Sequence, residues 1–352
     1  MKKVLLLITL VIVTAFSFGD KTDTNQTDSL MPVEKQLIKI YQNVVPSVVN
    51  ITNMQLAGSI FGDVEKIPAG MGTGFVWNDK GHIVTNYHVI EGGTEFVVSF
   101  FKDKKQYKAT IVGAEPRLDV AVLKLQEMPK KLAPVTVGKS QTLQVGQMTI
   151  AIGNPFGLDH SMSRGIVSAL DRKIKGIGGV KIHGMVQTDA AINQGNSGGP
   201  LLNSSGHVIG MNTMIFSPSG ANAGLGFAVP IDSIKSVVPQ LIEHGKVIRP
   251  ALGIGILPDQ YKEAYFGTSK GVVIRYIDED GAAYKAGLRG MTRDPWGRSY
   301  LGDIILKIDD KEINSYDDIY HALDKYKVGD QVEITYRRKK KVSKIKMKLG
   351  SL

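Results

Sequence analysis

Gly195-Asn196-Ser197-Gly198-Gly199-Pro200 is the stretch on which the reading of this chain turns. A serine enclosed by glycines sits readily on a sharp turn, because glycine tolerates the φ,ψ values that such a turn demands. On that turn the backbone N–H groups of Gly195 and Ser197 are expected to converge on one point. Working outward, two further motifs precede it: Thr85-Asn86-Tyr87-His88-Val89 and Asp119-Val120-Ala121-Val122. Acyl transfer needs a hydroxyl activated by a base, a carboxylate that fixes the tautomer of that base, and donors for the developing oxyanion. His88 is the candidate base, Asp119 the candidate orienting acid and Ser197 the candidate nucleophile. Singly each residue is unremarkable: a histidine at a strand end, an aspartate in a turn, a serine among glycines. Their order and their company make the case.

The surroundings are β-rich. From Val48 to Val229 short β-branched and aromatic runs are cut by Gly, Asn, Asp and Pro, as in Gly74-Phe75-Val76-Trp77 before Asn78-Asp79-Lys80-Gly81. That pattern predicts a mainly β fold, a barrel or a sandwich, and not a βαβ protein. Leu37, Ile40, Tyr41 and Val44 recur at helical spacing, with Pro46 ending the helix. A second helix is expected after Pro230, with Asp232 as its cap, an apolar face through Ile234, Val238 and Leu241, and Gly245 as its stop. Residues 246–250 then read as a domain boundary. A small α+β unit follows, in which Ser315 and Asp318 cap the last helix.

Composition bounds the rest. The 352 residues include no cysteine, which excludes disulfide scaffolds, thiol nucleophiles and thiolate metal sites. Nothing in the sequence calls for a metal, nucleotide or organic cofactor. The 43 Lys and Arg exceed the 33 Asp and Glu, for a formal charge of +10. Eight of the basic residues lie between Arg337 and Lys348, where no acid interrupts them. Such concentration argues against a uniformly basic binder of specific nucleic acid. It predicts a hairpin in which Arg337–Lys341 form the turn and Lys344, Lys346 and Lys348 share one face, which either guards an exposed edge strand against unwanted pairing or makes weak contact with anionic membrane. At the start, Lys2-Lys3 precede the uncharged run Val4–Phe18. Fifteen helical residues span about 22 Å, short of a ~30 Å hydrocarbon core, so residues 1–19 read as a cleaved signal peptide before a retained anchor. Residues 20–33 read as a linker.

Taken together the motifs resemble the HtrA/Deg family of trypsin-like serine proteases with one C-terminal PDZ domain. The resemblance runs from about Glu34 to the end. It also rests on Gly72-Thr73-Gly74-Phe75-Val76, Ala151-Ile152-Gly153-Asn154-Pro155-Phe156-Gly157, Gln187-Thr188-Asp189-Ala190-Ala191-Ile192-Asn193 and Gly224-Leu225-Gly226-Phe227-Ala228-Val229-Pro230. It implies a chymotrypsin-like double β-barrel over 34–245 and a PDZ domain over 246–352. It further implies a triad of His88, Asp119 and Ser197, an oxyanion hole from Gly195 and Ser197, and a homotrimer that degrades unfolded proteins of the bacterial envelope. Only Met54–Ala69 stands where cage-forming members carry a long insertion. The insert Arg289–Tyr300 resembles the chloroplast branch, whereas the Lys-Lys leader points to a bacterial periplasm, or to an inner-membrane anchor facing it.

Specificity follows from the pocket residues that the resemblance assigns. Ala191 occupies the place where trypsin-like enzymes carry a carboxylate for basic side chains, and the wall Asn212-Thr213-Met214-Ile215 is uncharged. An apolar pocket favours aliphatic side chains by about 0.8 kcal/mol per buried methylene and offers Lys or Arg no partner. Loops 171–184, 191–197 and 214–224 are expected to border the site and to switch its order. In the C-terminal unit, Leu252-Gly253-Ile254 is the candidate cradle for a peptide C-terminus, with Arg249 adding positive charge. Two alternatives to a quality-control protease are a peptide-binding chaperone or adaptor, and a regulatory protease with one anchored substrate. The intact triad disfavours the first, and an uncleaved leader favours the second.

Overall fold

The computed structural model describes residues 29–351 except 59–63, 155–159, 176–180, 194, 216–223 and 268–269. The expected leader and the linker up to residue 28 lie outside the described residues, as do the middle of loop 171–184, Gln194 and most of loop 214–224.

Helix α1 (Pro32–Val44) has Pro32 at its first position, where the missing N–H costs nothing, and buries Ile40. A short 3₁₀ turn containing Pro46 leads into the first barrel. Its strands are β1 (Val48–Gly58), β2 (Val64–Val76), β3 (His82–Thr85), β4 (Glu95–Phe100), β5 (Gln106–Glu115) and β6 (Val120–Leu125). They close in the order β1-β2-β3-β6-β5-β4, with one-turn α2 (Tyr87–Ile90) after β3. Most of Met54–Ala69 is absorbed by the β1–β2 pairing.

The second barrel comprises β7 (Met148–Gly153), β8 (Ser161–Lys175), β9 (Lys181–Thr188), β10 (Pro200–Leu202), β11 (Val208–Ile215) and β12 (Gly226–Pro230). These close in the order β10-β11-β12-β9-β8-β7. The mainly β expectation thus resolves to two barrels and no sandwich. Phe75, Val84 and Val122 from the first share one core with Ile150, Met211 and Val229 from the second. Helix α3 (Ile231–His244) seals it with Ile234, Val238 and Leu241. Gly245 ends α3 at φ +72°, as the sequence predicts. Asp232 does not cap it. Pro230 occupies the cap position, and the Asp232 carboxylate instead accepts from the backbone N–H groups of Ser140 (2.8 Å) and Gln141 (2.9 Å).

The C-terminal unit opens with β13 (Pro250–Ala251) and β14 (Ile254–Ile256), then α4 (Asp259–Phe266), β15 (Val272–Ile277) and α5 (Ala282–Lys285). The insert expected at Arg289–Tyr300 is a small hairpin of β16 (Thr292–Arg293) and β17 (Ser299–Tyr300). β18 (Ile304–Ile308), β19 (Lys311–Glu312), α6 (Tyr316–Leu323), β20 (Gln331–Arg338), β21 (Lys341–Lys348) and β22 (Gly350–Ser351) complete it. The main sheet runs β14-β15-β18-β20-β21, while β22 returns to pair with β13. Ser315 and Asp318 cap α6 reciprocally.

The basic hairpin forms with a tighter turn than Arg337–Lys341. Arg338 pairs across to Lys341, so only Lys339 and Lys340 make the turn, and Arg338 instead bonds the buried Asp303 at 2.7 and 2.8 Å. Lys344, Lys346 and Lys348 are exposed as expected. Lys344 is answered by Glu333 at 2.7 Å.

Candidate active site

The first barrel brings His88 and Asp119 together through strand pairing. His88 follows β3, Asp119 precedes β6, and β3 and β6 are neighbours, with Thr85 opposite Ala121. Two backbone-directed bonds lock the junction: Asn86 Nδ2 and the Tyr87 N–H both donate to the Asp119 carbonyl, at 2.9 and 3.2 Å. Asp119 itself sits in the left-handed region at φ +56°. Aspartate tolerates that region better than most residues, and such backbone strain gathers at functional sites.

The Asp119 carboxylate is buried and fully engaged. One oxygen accepts from the His88 N–H at 3.0 Å, and the other lies 2.8 Å from His88 Nδ1. The second oxygen also accepts from the Thr213 hydroxyl. The imidazole is therefore oriented at Nδ1 by an acid, which leaves Nε2 as the position for proton transfer. His88 keeps about a third of its side chain exposed while Asp119 keeps 2%.

Ser197 arrives from the second barrel, ahead of β10. The turn around it is dictated by its glycines. Gly195 and Gly198 have φ of +100° and +85°. A Cβ on Gly198 would lie 2.0 Å from the Thr73 carbonyl oxygen, and one on Gly199 2.3 Å from that of Ile152. Thr73, at the end of β2, ties the barrels together. Its N–H donates to the Ser197 carbonyl at 2.9 Å, its hydroxyl donates to the Gly195 carbonyl, and it accepts from the Asn154 N–H.

The Ser197 hydroxyl donates to the Thr213 carbonyl at 2.7 Å. Thr213 thus touches both ends of the constellation, with its side chain on Asp119 and its carbonyl on Ser197. In this arrangement the Ser197 hydroxyl hydrogen is committed to the Thr213 carbonyl.

Similarity to known proteins agrees with this geometry. Residues 72–211 match the model of a trypsin-like peptidase domain and residues 250–349 that of a PDZ domain. The chain is 47% identical over 323 residues to Protease Do-like 1, chloroplastic, of Arabidopsis thaliana, covering 90% of this chain and 72% of that one. It is 40% identical over 294 residues to a probable periplasmic serine endoprotease, DegP-like, of Halomonas elongata, covering 80% of this chain and 58% of that protein's length. Among solved structures, HtrA-type protease AlgW with a decapeptide superposes with a TM-score of 0.67 at 30% identity, over 90% of this chain and 98% of that one.

The chain belongs to the HtrA/Deg family of serine proteases.

The other residues expected to serve an HtrA/Deg protease fall in different places. Ala191 is exposed, and its carbonyl accepts from the Ser163 hydroxyl. Asn212 and Thr213 are buried. Asn212 Nδ2 donates to the Pro200 carbonyl, and Thr213 faces Asp119. The side chains of Met214 and Ile215 lie outside the described residues. In the PDZ domain, Leu252 is buried, Gly253 has φ +71°, and Ile254 begins β14, half-buried. Arg249 turns back to the first barrel, where it pairs with Glu115 at 3.1 Å. Thr73 and Thr213 tie the site together in ways the sequence does not mark: Thr73 stands in the motif Gly72-Thr73-Gly74 and Thr213 reads there only as pocket wall.

Proposed function

We propose that this HtrA/Deg enzyme is an endopeptidase of envelope protein quality control that cleaves unfolded chains through a Ser197–His88–Asp119 triad. The observation that carries the reading is the Asp119 carboxylate, which engages the His88 ring at 2.8 Å and is joined to Ser197 by way of Thr213. His88 takes the Ser197 proton as the serine oxygen attacks the scissile carbonyl, and the backbone N–H groups of Gly195 and Ser197 hold the tetrahedral oxyanion. The protonated imidazole then donates to the leaving amine, whose departure leaves the acyl-enzyme, and water deacylates the serine by the same steps in turn.

The rest of the proposal concerns context. The protease works as a homotrimer in a bacterial periplasm, after export on residues 1–19. The DegP-like relatives named periplasmic support this placing, as does the Lys-Lys leader, although the Arabidopsis relatives are named chloroplastic. Its PDZ domain takes free peptide C-termini on Leu252-Gly253-Ile254, where Ala283 and Asp278 donate to the Leu252 and Gly253 carbonyls and so fix the loop. The cationic face of β21 adds weak attraction to anionic lipid. Its field comes chiefly from Lys346 and Lys348, since Glu333 answers Lys344.

Digestion of unfolded casein tests the proposal. Wild type should release peptides cleaved after Val, Ala or Ile, because Ala191 supplies no charge for a basic side chain. Ser197→Ala and His88→Ala should release none while melting near wild type. Turnover by a clean Ser197→Ala preparation refutes the mechanism, and dominant cleavage after Lys or Arg refutes the uncharged pocket.

A further inference from the structure

The groove assigned to peptide C-termini is walled by more than the PDZ domain. A cavity of about 430 Å³ has Leu252–Ile254 and β14 on one side and α6 on another, and it is bounded by Arg117 of the first barrel and by Arg249 of the interdomain connection. Both guanidinium groups lie over the aromatic residues of α6. Arg117 is 5.2 and 5.0 Å from the ring centres of Tyr316 and Tyr320 and donates to the Tyr316 hydroxyl. Arg249 is 4.6 Å from the Tyr320 ring.

The two arginines are short of acceptors. Glu115 engages one terminal nitrogen of Arg249, but Arg249 Nε is buried with no hydrogen-bond partner. Among the described residues Arg117 has no carboxylate within ion-pair distance, although it lies near enough to Arg249 for the two cations to repel. Asp324, the acid that lines this cavity, attracts Arg249 and is also held by His321 Nδ1 at 3.0 Å. An aromatic face steadies a guanidinium without occupying its edge donors, and those donors match a carboxylate in fork geometry.

We propose that this composite groove selects peptides bearing an Asp or Glu side chain within about four residues of a free hydrophobic C-terminus, the acid being bound by Arg117 and Arg249. The reach follows from the walls: eight-residue α6 is about 12 Å long, and an added strand advances about 3.3 Å per residue. A carboxylate placed there gives Arg117 the charged acceptor it lacks among the described residues and adds to the attraction on Arg249. A glutamine supplies only a neutral acceptor, and a lysine is repelled. This inference rests on the PDZ groove reading given above.

Fluorescence anisotropy with the full-length Ser197→Ala chain tests it. Three labelled peptides end in a free Val and differ only in Glu, Gln or Lys at the second and third positions before it. The Glu peptide should bind about tenfold more tightly than the Gln peptide at low salt, with a gap that narrows as salt rises. Arg117→Glu, added to the same chain, should reverse the order in favour of Lys. Should that variant melt early, Arg117→Gln should remove the Glu preference while the Gln peptide binds as before. Equal affinity for Glu and Gln peptides, with amidation of the terminus still weakening both, overturns acid selection and leaves the groove reading standing. Affinity indifferent to amidation overturns both.

Discussion

Thr213 is where the side-chain chemistry of the site concentrates. Its hydroxyl donates to the Asp119 oxygen that orients His88, and its carbonyl receives the Ser197 hydroxyl. A hydrogen bond to a charged, buried group is worth about 1.5–3 kcal/mol, so Thr213→Val should lower kcat/KM by roughly ten- to hundredfold. Thr213→Ser, which keeps the donor, should stay close to wild type in the same peptidase assay. A Thr213→Val enzyme of full activity would deny the threonine any part in holding Asp119. His88, Asp119 and Ser197 were legible in the sequence because each stands in a compact local motif. Thr213 was legible only as a pocket wall. The β11–β12 register shifts between Asn212 and Ile215, and an irregularity of that kind re-aims side chains without leaving a mark in the residue pattern.

The same contrast between local and distant partners holds among the elements. Ser315 and Asp318 cap α6 because the two residues lie three apart and need only each other. Asp232 also sits at a helix start, yet its carboxylate holds Ser140 and Gln141, far away in sequence. Burial alone would raise the Asp232 carboxyl, but hydrogen bonds from Gln141 and from the backbone and hydroxyl of Ser140, with Lys235 beside them, hold it below its ordinary value. A carboxyl depressed on folding stabilises the fold above the unfolded pKa of about 4 and loses that contribution as pH falls through the folded value. Asp232→Asn should therefore cost about 1–2 kcal/mol in urea unfolding at pH 7, and the gap from wild type should close below about pH 4. A gap that persists undiminished at pH 3 would contradict the assignment. For the basic hairpin, alternation revealed the two faces of β20 and β21, while the tight turn and the Lys344–Glu333 pair depended on a register that only the folded sheet fixes.

For the whole molecule, the strand pattern left barrel and sandwich open. The choice is made by pairings such as β1 with β4 and β10 with β7, which close each sheet on itself and join residues far apart in the chain. Closure sets the ends of β3 and β6 beside the turn before β10, and this brings Ser197 to the crevice that holds His88 and Asp119. The family motifs made that architecture legible where periodicity alone did not. They carried no trace of the packing of Arg117 and Arg249 against α6, since neither arginine lies in a motif. The central claim is that the whole arrangement serves one activated serine. Labelling the intact enzyme with a fluorophosphonate, followed by peptide mapping of the adduct, tests that claim most directly. One adduct per chain, on Ser197, absent in Ser197→Ala and strongly slowed in His88→Ala, is the predicted result. An adduct on any other residue, or equal labelling of Ser197→Ala, would contradict it.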